Sequence, residues 1–359
     1  MLVASRRSRR VLVGICAAMI LAACGGGGGG SGTGDDSGST SDAQAALVEL
    51  NKDEGSASRA GSRTAAIDCR GPAPAEFGAG ELCVDTGYRQ ENKFSFANWG
   101  DYKYQGDTFD PSEFVTLFGA ENVCVNKVAE DCELTNQAKE RLELLNKQVA
   151  GGRCEGMVVM SALLASGAVK IEDLQAGATA VSDLDPNDTK LINQIDYWWA
   201  TQFAPQVLAD TAAIREKGVD AVLEALMRGM KGGVFATMGI YSKTSGHALL
   251  PVGVTRNTDG TFNVIVYDSN LPDILSKVII DTDKDTWEYL EGAVNPGQAQ
   301  SKWSGTSGTI ELTPLISREV NGKCDFCTDT SSSATKVAAE MIPLPPKDLF
   351  DSLFGLSPN

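Results

Sequence analysis

The chain has 359 residues, a formal net charge of −16, nine cysteines and a single histidine. Its acidic balance argues against a nucleic-acid-binding surface, because phosphate contacts require clustered lysine and arginine. One histidine excludes zinc sites that need two imidazoles, and the apolar fraction of 42% is typical of a globular protein.

The first 23 residues have the pattern of an export signal. A basic segment with four arginines is followed by an apolar stretch at 11–21 that is too short for a comfortable membrane span. The stretch ends in the sequence LAAC at 21–24, which resembles a bacterial lipobox. Such signals are cut before the cysteine, whose sulfur then carries a lipid, so Cys24 is the expected anchor. An ordinary signal peptide cut after Ala23 is the alternative.

Composition divides the rest of the chain into segments. Residues 24–45 hold the anchor cysteine and a glycine- and serine-rich coil, which suits a flexible tether. We assign 46–132 to an accessory segment with cysteine loops, 133–327 to the main domain and 328–359 to a C-terminal tail. Loss of the four signal arginines lowers the net charge from −16 to −20. The expected location is the bacterial cell envelope, lipid-anchored and facing outside the cytoplasm, where disulfides form.

The remaining cysteines leave one thiol over. Cys16 belongs to the signal and Cys24 to the anchor, which leaves seven. Six of these pair most simply with their sequence neighbours, as Cys69–Cys83, Cys124–Cys132 and Cys324–Cys327. Other connectivities are open to six cysteines, so short loops are the only basis for this pairing. The unpaired residue is Cys154, and an odd thiol in an exported protein needs a chemical reason.

Hydrophobic periodicity predicts helices in the first half of the main domain. Residues 135–150 carry an apolar stripe at helical spacing. Residues 154–165 are apolar nearly all round, which predicts a buried helix with Cys154 at its N-terminus. Two further amphipathic helices are predicted at 188–203 and 219–230.

After Gly232 the pattern changes to that of β-strands. Strands are predicted at 233–241, 247–255, 261–268, 276–280 and 286–289. The sequence NTDG at 257–260 is a strong hairpin turn signal between the second and third of them. Helices followed by antiparallel strands predict an α+β fold class.

The unpaired cysteine and the only histidine lie in contexts that suit nucleophilic catalysis. Cys154 opens a predicted helix, where free backbone N–H groups favour a thiolate. His247 opens a strand whose hairpin partner ends near Asp268 and Asn270, so one of these side chains can orient the imidazole. We favour Asp268, with Asn270 as the alternative third member. Taken singly, a cysteine and a histidine in these places also fit ordinary structural roles.

These motifs resemble those of papain-like cysteine peptidases. The matching pieces are GGRCEGM around Cys154, GHALLPVGV around His247 and VIVYDSNLP around Asp268, in the family's order. Gln148 stands six residues before the cysteine, where the family has its oxyanion glutamine. The spacing and the aspartate indicate the C39-like branch, whereas papain's CGSCW signature and its Ser-Trp after the third residue are missing. The resemblance covers about residues 135–285.

The resemblance implies a papain-like α+β fold, with an N-terminal helical part and a buried nucleophile helix packed on an antiparallel sheet. Cys154 would attack a carbonyl, His247 would carry the proton, Asp268 would orient the ring and Gln148 would bind the oxyanion. We therefore expect a membrane-tethered cysteine hydrolase, a peptidase that acts on a peptide or protein through a thioester acyl-enzyme. No metal, organic cofactor or nucleic-acid partner is expected, and the lipid membrane is contacted through Cys24.

Two other functions are compatible with the same residues. The triad also serves acyl transfer, as in transglutaminase-like enzymes, and a crosslinked or aminated product would distinguish transfer from hydrolysis. The other alternative is a catalytically inactive surface binding or assembly lipoprotein on a peptidase fold. A large distance between the Cys154 sulfur and the His247 ring would favour that alternative.

Overall fold

The computed structural model describes residues 68–100, 109–242, 245–293, 296, 299–318, 324 and 327. The predicted signal at 1–23, the anchor and tether at 24–45 and the tail at 328–359 lie outside these residues. All described residues belong to one unit of the chain. No helix in these ranges is long and apolar enough to cross a membrane.

Helices dominate the described residues up to 231. The α-helices are α1 (Pro111–Phe118), α2 (Ala120–Val123), α3 (Asn136–Val149), α4 (Cys154–Ala165), α5 (Ile171–Leu174), α6 (Thr189–Ala200), α7 (Pro205–Arg215) and α8 (Val219–Lys231). Short 3₁₀ helices lie at Ala75–Phe77, Gln90–Asn92, Val181–Asp183, Thr201–Phe203 and Leu315–Arg318. The sequence predicts α3, α4, α6 and α8, whereas α1, α2, α5 and α7 are not predicted.

The helix boundaries follow from local chemistry. The Thr135 side chain accepts a hydrogen bond from the Ala138 backbone, which begins α3 with an N-cap. The segment predicted as one helix at 188–203 instead changes to a 3₁₀ turn after Ala200. Pro205 accounts for this change, because the residue before a proline avoids the α conformation and Ala204 is extended.

The strands form a single antiparallel sheet. They are β1 (Glu81–Asp85), β2 (Ala236–Tyr241), β3 (Gly246–Arg256), β4 (Phe262–Tyr267), β5 (Leu275–Asp281), β6 (Thr286–Gly292), β7 (Ser301–Thr306) and β8 (Ile310–Pro314). Their order is β7-β6-β5-β4-β3-β2-β8, and β1 also pairs with β3. The described part of the chain is therefore an α+β fold, as predicted. Strands β2 to β6 match predicted strands, and β1, β7 and β8 are additional.

Strand β3 changes partner along its length on one edge. Its first half pairs with β2, with His247 opposite Ile240, and its second half pairs with β1. The register shifts between Pro251 and Gly253, which is where a proline without an N–H is tolerated in a sheet. A Cβ on Gly253 would lie 2.4 Å from the Phe77 ring, so this close approach requires glycine.

Apolar side chains pack on both faces of the sheet. One core joins α4 and α6 to aromatic residues between 77 and 118 and to Leu250 and Ile265 of the sheet. The other core joins α8 to Leu249 and Val264. Neighbouring strand residues divide between the cores because successive side chains point to opposite faces. Helix α4 is therefore buried between the sheet and α6.

Candidate active site

Cys154 is the first residue of α4 and follows a tight turn from α3. Gly151 N donates to Gln148 O at 3.0 Å, and Gly152 N donates to Val149 O at 2.9 Å. Gly152 has a φ of 144°, a conformation that favours glycine. The Cys154 residue is 7% exposed. The turn thus delivers the thiol to a helix N-terminus, where free N–H groups stabilise negative charge.

His247 and Asp268 meet at one end of the β3–β4 hairpin. Antiparallel pairing sets Leu250 opposite Tyr267, so the beginning of β3 and the end of β4 lie together. His247 Nε2 lies 2.7 Å from Asp268 Oδ1, and both side chains are fully buried. The carboxylate accepts from Nε2, which fixes the orientation of the ring.

The buried pair changes the acid strength of the imidazole. Burial alone lowers the pKa of His247, but the charge and hydrogen bond of Asp268 outweigh burial, and Cys154 adds to them. Together they raise the pKa from 6.5 to about 10. Asp268 therefore stabilises the protonated form of the imidazole.

Cys154 lies within interaction range of the His247 ring. Its side chain raises the pKa of His247 both through a hydrogen bond and through its charge. Since Nε2 is bound to Asp268, the nitrogen left for the sulfur is Nδ1. This atom is buried and has no well-aligned hydrogen-bond partner within the described ranges. The thiol and the carboxylate thus both act on the same buried imidazole.

The Asp268 carboxylate is held by three donors. Besides Nε2 of His247, Oδ1 accepts from the backbone N of Asn270 at 2.7 Å. Oδ2 accepts from the Tyr289 hydroxyl at 2.5 Å. Tyr289 lies on β6, and burial together with the nearby negative charge of Asp268 raises the pKa of its phenol. A carboxylate held in one orientation in turn holds the imidazole in one orientation.

Asn98 links the two halves of the site, and sequence reasoning missed it. Its Oδ1 accepts from the backbone N of Arg153 at 2.7 Å, just before the cysteine. Its Nδ2 donates to Asn270 Oδ1 at 3.0 Å, and its backbone N donates to Ser269 O at 2.8 Å. Asn98 lies in an aromatic stretch without a chemical motif, so the sequence offers no signal for this role. Tyr289 was missed for a similar reason, since a tyrosine in a strand is usually a packing residue.

A buried ion pair lies next to the start of α4. Arg153 contacts Asp196 of α6 through Nε at 2.6 Å and through Nη2 at 2.9 Å. The guanidinium carbon lies 5.2 Å from the centre of the Trp99 ring. The residue that precedes Cys154 is therefore held by α6 and by the segment that carries Asn98.

The two remaining predicted site residues occupy different positions. Gln148 is half-buried in the last turn of α3, and its Oε1 is buried without a hydrogen-bond partner in the described residues. Its oxyanion role stays a prediction. The Asn270 side chain bonds Asn98 and donates to Ala293 O at 2.9 Å. Asp268, and not Asn270, contacts the imidazole. Asn270 instead bonds to neighbouring segments of the site.

The other described cysteines form disulfides. The pairs are Cys69–Cys83, Cys124–Cys132 and Cys324–Cys327, as the short-loop argument predicts. Cys154 is the one free thiol among the described cysteines. No group of three or more histidine, cysteine or carboxylate side chains that could hold a metal ion occurs in the described ranges.

The arrangement can support nucleophilic chemistry at a carbonyl. A thiol at a helix start can attack, an imidazolium can give a proton to a leaving group, and a carboxylate keeps the ring in place. No protein-family model, curated protein or solved structure matches this chain.

Proposed function

We propose that this chain is an exported, lipid-anchored cysteine hydrolase, and specifically a peptidase. The observation that carries the proposal is the buried 2.7 Å hydrogen bond between the only histidine and Asp268, beside the free thiol of Cys154, which acts with Asp268 to raise the pKa of His247. Three chemically matched groups from a helix and two strands converge at one buried point. Each of these residues alone would fit an ordinary structural role, but their combination at one place favours a catalytic role.

The proposed acylation step uses Cys154 and His247. The Cys154 thiolate attacks the carbonyl carbon of a peptide bond, and the carbonyl π electrons move to the oxygen. Collapse of this intermediate expels the amine, which takes its proton from Nδ1 of His247. The products are a thioester on Cys154, a neutral imidazole and a free amine. The Cys154 backbone N–H and Gln148 are the proposed donors to the oxyanion.

Deacylation returns the site to its starting state. The neutral imidazole takes a proton from water as the hydroxyl oxygen attacks the thioester carbon. The C–S bond breaks, the carboxylic product leaves, and the thiolate–imidazolium pair forms again. Asp268 stabilises the imidazolium and keeps Nδ1 directed at the sulfur throughout.

The fold supports the resemblance to papain-like peptidases. In that family a cysteine opens a helix, and the histidine and third residue lie on neighbouring strands. Here Cys154 opens the buried helix α4, which packs on an antiparallel sheet, and His247 and Asp268 lie at the ends of the paired strands β3 and β4. We propose a papain-like fold of the C39-like branch on this basis.

A thiol-directed epoxide tests the reaction. The full, folded chain should gain one adduct, and peptide mass mapping should locate it at Cys154. Labelling should be lost in Cys154→Ala and His247→Gln and in urea-unfolded chain, because it depends on the activated pair. If the folded wild-type chain resists labelling, the proposal is wrong. The catalytically inactive binding protein would then be the favoured function.

Product analysis distinguishes hydrolysis from acyl transfer. A peptide library incubated with the chain and an excess of a simple primary amine should yield free carboxylates. Mass spectra dominated by amide products with the added amine would instead identify an acyltransferase. Cys154→Ala is the control, since it removes both products if they arise at this site.

The proposed anchor has a separate test. Lipidation at Cys24 should carry the chain into the detergent-rich phase of a cell extract, and Cys24→Ser should move it to the aqueous phase. We propose that the substrate is a peptide or protein within reach of the flexible tether at the cell envelope. Equal partition of both forms would contradict the anchor without affecting the proposed chemistry.

A further inference from the structure

We propose that Asn98 is a positioning residue, a clamp that sets the separation between the Cys154 sulfur and the His247 ring. It does so by joining the start of α4 to the loop after β4. The inference rests on the proposed function, because the separation matters most for a reacting pair.

Asn98 contacts both halves of the site with directed hydrogen bonds. Oδ1 accepts from Arg153 N at 2.7 Å on the helix side. Nδ2 donates to Asn270 Oδ1 at 3.0 Å, and the backbone N donates to Ser269 O at 2.8 Å on the strand side. The residue is 1% exposed, so water does not compete for these bonds.

The bonded neighbours are adjacent in sequence to the reacting residues. Arg153 directly precedes Cys154, while Ser269 and Asn270 directly follow Asp268. A shift of the asparagine side chain would therefore be transmitted through one or two backbone units. Apolar packing of α4 on the sheet is non-directional and tolerates small sliding movements, whereas hydrogen bonds near 2.7–3.0 Å restrict them.

The orientation of the clamp is determined by its surroundings. The Arg153 backbone N–H requires an acceptor, so the amide oxygen of Asn98 faces the helix. The Asn270 Nδ2 already donates to Ala293 O at 2.9 Å, which leaves its Oδ1 as an acceptor for the Asn98 amide nitrogen. The next residue, Trp99, packs 5.2 Å from the Arg153 guanidinium, so the segment is anchored on the same side.

The rate of alkylation of Cys154 by iodoacetamide gives the first test. Asn98→Ala should slow alkylation of the full chain several-fold, since the thiolate is the nucleophile and separation from the imidazole removes the neighbouring cation that favours it. Asn263→Ala is the matched control. Asn263 is a buried asparagine, 4% exposed, whose amide bonds Thr255 and Asn257 at the far end of the hairpin. Its removal should lower the melting temperature without changing the alkylation rate.

The single histidine allows a second test that does not depend on turnover. With labelled histidine and no histidine tag, NMR reports one imidazole. Cys154→Ala should lower the pKa of His247, because the sulfur raises it. The same substitution in an Asn98→Ala background should have little effect, because the pair is already separated. Asn98→Asp, nearly identical in shape, loses the Nδ2 donor and should show the same loss of coupling if the alanine variant does not fold.

Two results would overturn the clamp. One is an alkylation rate for Asn98→Ala equal to that of the wild type. The other is an equal effect of Cys154→Ala on the His247 titration in both backgrounds. Either result leaves the proposed function intact, since that proposal fails only if the wild-type chain resists the epoxide. A wild-type chain that resists the epoxide, but in which Cys154→Ala still changes the pKa of His247, would support the clamp and contradict the proposed peptidase activity.

Discussion

The Tyr289 hydroxyl donates a 2.5 Å hydrogen bond to Oδ2 of Asp268, the oxygen that is not bound to His247. Strand β6 thereby contributes to a candidate site whose other members lie on α4, on β3 and directly after β4. The phenol and the imidazole share one carboxylate, so the position of the ring depends on three strands of the sheet. The Asp268 side chain is fully buried, so the protein and not solvent must supply its hydrogen-bond donors.

Tyr289→Phe should lower both stability and activity. The change leaves a buried carboxylate oxygen without its donor, which costs about 1–3 kcal/mol in the free energy of unfolding. Urea denaturation and kcat/KM on a peptide substrate measure the two effects. Trp287→Phe is the matched control, because it removes a 2.9 Å hydrogen bond from the indole nitrogen of another buried aromatic residue of β6 to Thr309 Oγ1. Only Tyr289→Phe should reduce kcat/KM, and equal activity losses in both variants would contradict this role.

The contribution of His247 to the stability of the chain should fall between pH 6.5 and about pH 10. The pKa of His247 is raised from 6.5 to about 10 in the fold, so the folded chain keeps a proton that the unfolded chain loses. This contribution is complete below pH 6.5 and disappears as the pH rises through about 10. Asp268→Asn removes the charge that chiefly offsets burial and should flatten the decline.

Urea denaturation across that range measures the slope. Asp281→Asn is the charge-matched control, since its carboxylate pairs with Lys284 near the surface and not with His247. Its slope between pH 6.5 and 10 should equal that of the wild type. The prediction is wrong if Asp268→Asn and Asp281→Asn decline equally.

Asp196→Asn should be strongly destabilising. It removes the charge that pairs with the buried Arg153, and breaking a buried ion pair from one side costs about 3–5 kcal/mol. Glu81→Gln breaks an exposed pair with Arg256 at 2.7 Å and should cost about 1 kcal/mol or less. Thermal unfolding of both variants provides the comparison. Similar costs would show that the Arg153 pair contributes no more than a surface pair.

Loss of the Cys69–Cys83 disulfide should lower stability without affecting the thiol chemistry. The bridge spans 14 residues and ties the chain before β1 to that strand, and a loop of this length contributes about 3 kcal/mol. The double variant Cys69→Ala/Cys83→Ala should melt at a lower temperature. Iodoacetamide should still alkylate Cys154 at the wild-type rate below the melting transition. A slower rate there would mean that the bridge also shapes the site.

Elements with strong apolar patterns were predictable. Helix α4 has the bounds 154–165 that its apolar run predicts, because a segment that is apolar on all sides must be buried. Strands β1, β7 and β8 were missed. Strand β7 is mostly exposed and β1 has five residues, so their identity as strands depends on pairing with β6 and β3.

Some residues of the candidate site were predictable from the sequence, and others were not. Cys154 and His247 stood out because the chain offers one odd thiol and one imidazole, and the predicted hairpin limited the third member to Asp268, which was favoured, or Asn270. Asn98 lies 172 residues from its partner Asn270, and no local pattern encodes such a contact. Its three hydrogen bonds exist only where the segment before α1, helix α4 and the loop after β4 come together.

The sequence by itself determined which residues are chemically competent and which elements carry them. It did so through local rules: a helix N-terminus favours a thiolate, and a hairpin brings two strand ends together. The tertiary structure alone decided the geometry: that Asp268 and not Asn270 contacts His247, that Tyr289 holds the carboxylate and that Asn98 joins the two halves. These choices depend on differences of a few tenths of an ångström in the positions of elements that are far apart in sequence. Residue patterns contain no information at that scale.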